Sequence, residues 1–310
     1  MTGRVTTAQG AVYELPTLLS WRLRRTGGVP CDSFTVQCLY SAAMTDVFRC
    51  ACRFTAVEDG AAVFAGVVDE WRAEMDGTGL VLTMSGRGMA ALLLDNEAES
   101  MTYQRAALSE IVRDHVTPCG VMCRTRGEVR TVGEYTVASG ASRWKAVEGF
   151  ANRCGLLPQF TKDGVLCFRA ADEGVRHILG AGAPIVSAAY RDRRYGVLSE
   201  VVAIDRTRGT RQTVRNETFL ARGGSCRRVV YVPSRGGDEL RYTGRYQIEK
   251  SAEGARELTL TLAGRAAAEP RDYVELRLER LGLAGTYRVS ETTRALTARG
   301  ETTELVLWEE

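Results

Sequence analysis

The chain has 310 residues, 45% of them hydrophobic and 25% charged, with 41 basic against 38 acidic side chains and a formal net charge of +3. These values exclude a disordered chain and a strongly basic protein drawn as a whole to nucleic acid, and they allow a sizeable core spread over two or three domains. No apolar run approaches membrane-spanning length, and residues 1–14 lack the charged start and apolar core of a signal peptide. Folding in the cytoplasm is expected, with no membrane partner.

Residues 1–96 read as a first β-barrel domain. Leu19, Trp21 and Leu23 alternate with polar neighbours before a turn at Thr26-Gly27-Gly28. Phe34, Val36, Cys38 and Tyr40 repeat the alternation, as do Phe48, Cys50, Cys52 and Phe54. Glu58-Asp59-Gly60 and Asp76-Gly77-Thr78-Gly79 supply hairpin turns. Leu80, Leu82 and Met84 form a further strand, expected to break at Ser85-Gly86-Arg87-Gly88 and lead through a short apolar run, residues 89–94, into a different kind of unit. Short strands separated by glycine turns point to an antiparallel barrel.

Residues 97–184 read as an α/β insert of two helices and a hairpin. Leu108, Ile111, Val112 and His115 make one helical stripe, which Pro118 ends. A second helix is expected from an N-cap at Ser142 to Cys154, with Gly155 as its stop and Trp144, Val147 and Ala151 facing inward. Residues 157–160 and 165–168 then pair across Lys162-Asp163-Gly164.

Residues 185–310 return to strands, at 197–205, 227–232, 242–250, 258–262, 274–278 and 304–307, and read as a second β-barrel domain. The fold class is thus α+β, mainly β: two antiparallel barrel-like domains flanking a small α/β insert. Segments 67–83 and 289–307 echo one another, each a strand, a polar turn and a returning Leu-Val-Leu strand. Between them lies a basic stretch: Arg206, Arg208, Arg211, Arg215, Arg222, Arg227, Arg228 and Arg235, opposed internally by Glu217 alone. Read as a hairpin, it offers assembly or polyanion contacts. It lacks the interleaved aromatics that single-strand binding uses, only Phe219 and Tyr231 being close, so a solvated or subunit-facing hairpin is expected over a nucleic-acid site.

Catalytic chemistry is not visible. Two histidines, no Gly-x-Ser-x-Gly elbow and no phosphate loop leave no candidate catalytic residue. Gly86-x-Gly88-x-x-Ala91 matches the letters of a dinucleotide fingerprint, but that motif works only in a strand–helix–parallel-strand unit, and these strands read as antiparallel. No cofactor is expected. Cys119-x-x-x-Cys123 lacks the second ligand pair a structural zinc needs, and His115 reads as packing, so no metal is expected either. Two alternatives stay open: a nucleic-acid-binding protein using the basic hairpin, and a cell-wall-acting enzyme with paired carboxylates.

Three passages carry a resemblance: residues 82–98, LTMSGRGMAALLLDNEA; residues 142–156, SRWKAVEGFANRCGL, with the hairpin ending in Val165–Phe168; and residues 281–290, LGLAGTYRVS, with the last strand. In order and type these resemble the baseplate hub proteins of contractile phage tails, those of Gram-positive phages and prophages foremost and late-control D proteins more distantly. The resemblance implies a homotrimer whose paired barrels alternate round a ring, joining the tail tube protein to the central spike protein among other baseplate proteins. It implies no catalytic residues, assembly in the bacterial cytoplasm, and a final place in the baseplate of a phage tail, a tailocin or another injection machine.

Overall fold

A computed structural model describes residues 1–27, 32–77, 79–125, 130–170, 172–180, 182–232 and 237–309. Gly28, Thr78 and Arg235 of the stretches above therefore lie outside the described residues. The chain forms two compact units: Met1–His177 with Thr261–Tyr273 and Val289–Leu305, and Ile178–Leu260 with Val274–Arg288 and Val306–Glu310. The architecture is α+β and mainly β, with large antiparallel sheets. No described helix is long and apolar enough to cross a membrane.

In the first unit, β1 (Thr2–Thr7), β2 (Val12–Glu14), β3 (Leu18–Thr26), β4 (Ser33–Leu39), α1 (Thr45–Cys50), β5 (Ala51–Glu58), β6 (Ala61–Asp76) and β7 (Gly79–Gly88) build a sheet in the order β3-β4-β7-β6-β5-β1-β2. Every pair is antiparallel, and residues 291–296 pair with the outer side of β3. The period-two pattern puts Phe34, Val36 and Cys38 of β4, Phe54 and Ala56 of β5, and Leu82 and Met84 of β7 into one core. Phe34 stacks on Phe54 with ring centroids 4.2 Å apart. Asp59 and Gly60, both at positive φ, make the two-residue turn between β5 and β6.

Two expectations fail here. Phe48 and Cys50 lie in α1 rather than a strand, and Cys50 is exposed while Cys38 is buried. Phe48 still reaches the core from the helix, which is why its spacing passes for strand alternation. Nor does the chain break at Ser85-Gly86-Arg87-Gly88, since β7 runs through Gly88 between β4 and β6. These glycines serve close approach. A Cβ on Gly86 would stand 1.9 Å from the Val67 carbonyl oxygen and 2.7 Å from Phe34 Cε1. The antiparallel setting also removes the dinucleotide reading. Between the two glycines, Arg87 ties Asp69 of β6 to Asp95 through contacts of 2.8 and 2.7 Å.

The unit continues with α2 (Ala91–Leu94), β8 (Met101–Tyr103), β9 (Ala106–Ala107), α3 (Leu108–Ile111), β10 (Cys123–Arg124), β11 (Thr131–Val132), β12 (Tyr135–Val137), α4 (Arg143–Arg153), β13 (Leu156–Phe160), β14 (Leu166–Ala170) and the first half of β15 (Arg176–Leu179). These elements hold a core of their own around Leu93, Ile111, Val147, Phe150 and Leu166. Ser142 caps α4, its Oγ accepting from the Lys145 amide at 3.2 Å, and Gly155 follows the helix at φ +68°. The first predicted helix is shorter: after α3 the chain widens into a π turn at Val112–Val116 and tightens at Thr117–Cys119.

The second unit contains β16 (Ile185–Asp192), β17 (Glu200–Asp205), β18 (Arg211–Arg215), α5 (Glu217–Ala221), β19 (Arg227–Val232), α6 (Gly237–Ala252) and parts of β20 (Arg256–Ala263), β21 (Tyr273–Leu278), β22 (Leu283–Thr297) and β23 (Gly300–Glu309). The expected strand at 242–250 is instead the middle of α6. Leu240, Gly244 and Ile248 recur every four residues and are buried, a helical period that outweighs the local alternation of Tyr242, Gly244, Tyr246 and Ile248. α6 packs on β17 and β18.

Candidate assembly surface

The basic stretch does not form a simple hairpin. β17 pairs antiparallel with β18, the chain crosses over through α5, and β19 returns parallel to β17 on its other side. The registers align residues across the three strands in ranks: Arg215–Glu200–Arg227, then Thr213–Val202–Val229, then Arg211–Ile204–Tyr231. In the first rank Glu200 holds both arginines, at 3.2 and 3.1 Å. In the third, the Arg206 guanidinium lies 4.5 Å over the Tyr231 ring. Buried Asp205 shapes the turn after β17 by accepting the Thr207 and Arg208 amides at 2.8 and 3.1 Å.

The remaining arginines point elsewhere. Arg222 pairs with Asp192, and Arg228, one residue out of phase with Arg227, reaches the opposite face and donates to Gln247 Oε1 of α6 at 3.0 Å. Arg208 and Arg211 have no acidic partner among the described residues. The arginines are therefore divided between two faces, and acids distant in sequence, Glu200 and Asp192, neutralise three of them. Phe219 is buried, leaving Tyr231 as the one aromatic of the stretch that meets them at the surface.

The outer face of α6 adds residues the sequence reading missed. Arg241, Tyr242, Arg245 and Tyr246 are exposed there, and Tyr242 keeps 73% of its surface open. A cavity of about 540 Å³ lies between β18 and α6, lined by Arg215, Asn216, Glu217, Arg241, Arg245 and Glu249 among others. The signal for this site was the four-residue recurrence of Leu240, Gly244 and Ile248, which turns the intervening arginines and tyrosines outward.

A neighbouring cavity of about 680 Å³ is lined by Asp192, Glu249, Glu253 and Glu309 together with arginines. Arg222 holds Asp192, Lys250 holds Glu253 at 2.6 Å, and Arg256 holds Glu309 at 2.8 Å. Among the described residues, Glu249 alone of these four carboxylates has no cationic partner.

Several titratable groups of the first unit are shifted by burial. His115 is buried beside the Tyr103 hydroxyl at 3.1 Å, and burial lowers its pKa against the raising pull of Asp114. Burial pushes the Cys38 and Cys123 thiols up to about 11, which keeps them protonated. No described group of three or more His, Cys, Asp or Glu side chains is arranged to hold a metal.

The whole fold has solved counterparts. The tail protein of Neisseria meningitidis MC58 superposes with a TM-score of 0.78 at 18% identity, covering 100% of this chain and 96% of that one. This is the fold of phage tail proteins. The 43 kDa tail protein of prophage MuSo2 from Shewanella oneidensis is similar at a TM-score of 0.80 and 16% identity, over 99% of this chain and 97% of its own. An E. coli component of the type VI secretion system, itself described as similar to the T4 tail proteins gp27 and gp5, follows at 0.52 and 10% identity, over 94% of this chain and 73% of its own. No protein-family model and no curated protein sequence matches the chain.

Proposed function

We propose that the chain is the structural baseplate hub of a contractile tail or related injection machine. It forms a trimeric ring that joins the hexameric tail tube to the trimeric central spike, beside other baseplate proteins. The observation that carries this reading is the end-to-end fold match with two tail proteins, in which neither chain has a large part left over. The division into residues 1–96, 97–184 and 185–310 belongs to the same proposal. Two barrel-like domains per subunit let a threefold ring present six similar positions to a sixfold tube. In this role the chain needs no catalytic residue, and its place after assembly is the baseplate.

The test is mass in solution by light scattering, for the chain alone and mixed with the spike protein of the same particle. A trimer in either sample is the expected result. A monomer that ignores the spike refutes the ring. The nucleic-acid reading is weaker, because the arginines of 206–228 fall on two faces and three of the seven are already paired with acids.

A further inference from the structure

In the second unit β16 pairs on one side with β20, and no described strand takes its other side. A bare strand edge is a row of unpaired amides and carbonyls, which soluble proteins blunt with lysine, proline or a very short strand. β16 uses none of these devices. It runs from Ile185 to Asp192, has no lysine or proline, keeps its charges for the last two positions and contains no buried residue. Val186 is 63% exposed and Tyr190 37%. In the first unit β2 pairs with β1 alone, and its Val12 and Tyr13 are 61% and 41% exposed. Charge differs between the two settings. The residues of the second unit include 18 basic and 13 acidic side chains, those of the first 23 and 25. β16 runs out into Arg193 and Arg194, which donate to the carbonyls of Tyr195 and Arg222 at 3.2 and 3.3 Å and have no acidic partner among the described residues. β2 ends on Glu14, whose exposed carboxylate is held loosely by Arg4 at 3.6 Å.

We infer that the β16 edge of one copy takes the β2 edge of the next, so that sheet hydrogen bonding runs across the subunit boundary. The inference rests on the ring reading and names the strands that close it. Two different edges meeting make a heterologous contact, which closes into a ring when repeated, whereas β16 paired with its own counterpart would stop at a dimer. The arriving strand satisfies backbone groups of β16 and sets Val12 and Tyr13 against Val186 and Tyr190, main chain giving affinity and side chains giving register. Charge selects the direction. With the strands parallel, Glu14 at the end of β2 arrives beside the open guanidiniums of Arg193 and Arg194 at the end of β16. Each contact then brings a unit of positive excess to one of negative excess, which favours a second copy over unrelated acidic or basic surfaces less well matched in shape.

The test replaces Val186 of the full chain by the photo-cross-linking residue p-benzoylphenylalanine and illuminates it alone and with the spike protein of the same particle. A band of two or more chains is expected on a denaturing gel, with peptide mapping placing the adduct within residues 8–18 of another copy. Val186→Lys puts on the edge the residue that refuses a neighbouring strand, and should raise the concentration at which half the chain is trimeric by about tenfold. Position 186 is exposed, so circular dichroism of both variants should match the parent. A trimer that gives no adduct, gives adducts elsewhere in the chain, or is indifferent to Val186→Lys overturns the inference and leaves the ring standing. An adduct with the spike also overturns it and assigns β16 to that partner. A parent chain that is monomeric in both samples overturns the ring and the inference together.

Discussion

Replacing Arg294 by alanine should destabilise the first unit by about 3 kcal/mol. Its side chain is 14% exposed and bridges Glu58, 12% exposed, at 3.1 Å and Glu301 at 3.2 Å, while its guanidinium lies 5.3 Å from the Trp21 ring centroid. Removing one member of a buried ion pair costs roughly 3–5 kcal/mol, since the stranded charge loses its compensation without regaining water. The lower end applies because Arg265 also contacts Glu58 and stays behind. The assay is urea unfolding at pH 7, comparing midpoints at equal slope. A second arm follows from the ionisation of Glu58. Burial opposes its charge, yet the hydrogen bonds from Arg294 and Arg265 outweigh burial and hold its carboxyl below the ordinary value. A depressed folded pKa means the unfolded chain binds more protons in acid. This increment of stability is therefore full above the unfolded value of about 4.3 and is lost as pH falls through the folded one. Arg294→Ala should thus lose less stability than the parent between pH 6 and pH 3. A loss below about 1 kcal/mol at pH 7, the scale of surface pairs, would show that water reaches this network and would refute the reasoning.

Three further outcomes follow. Gly86→Ala should cost about 3 kcal/mol or prevent folding, as its methyl has only the Val67 backbone and the Phe34 ring to displace, whereas Gly77→Ala, with open space around it, should stay within about 0.5 kcal/mol; urea midpoints and soluble yield distinguish them. Ser142→Ala should lose about 1 kcal/mol by removing the cap on α4, and an unchanged midpoint would mean that water replaces the hydroxyl. His115 has a folded pKa lowered by burial, with Asp114 pulling it up and Arg143 down. Its contribution is full above the unfolded value of about 6.5 and lost as pH falls through the folded one, so His115→Gln should flatten the decline between pH 7 and pH 5, and equal slopes would contradict the assignment.

Where one short-range rule governs a segment, the sequence is a sufficient guide. β4 and β7 alternate with period two, Ser142 precedes a helical stripe, and the 156–170 hairpin turns on Gly164; each follows from a handful of neighbouring residues. The failures have one cause: a long-range contact decides between two local readings. Gly86 looks like a turn because only the approach of Val67 and Phe34, distant in sequence, explains its missing side chain. Residues 242–250 satisfy both alternation and a four-residue period, and packing on β17 and β18 selects the second. The neutralisation of Arg215 and Arg227 by Glu200 required the register of three strands, so an excess of charge along the chain was not an excess at the surface.

That difference between charge in sequence and charge in space bears on how an assembly protein finds its partners. In the first unit, arginines such as Arg294 and Arg25 are held inside by carboxylates and serve the fold. In the second, Arg241 and Arg245 remain solvated on a rigid helix. An exposed arginine costs little while hydrated, and a carboxylate arriving opposite it contributes to encounter rate and to rejection of wrong partners more than to raw affinity. Any attraction these open arginines exert on an anion should then fall with salt, because their charges are open to screening, while the buried Arg294 network should respond far less. Salt thus separates buried from open arginines in one chain: an unfolding midpoint that holds steady between low and physiological ionic strength places the stability on the buried network, and one that falls in step with screening places it on exposed pairs.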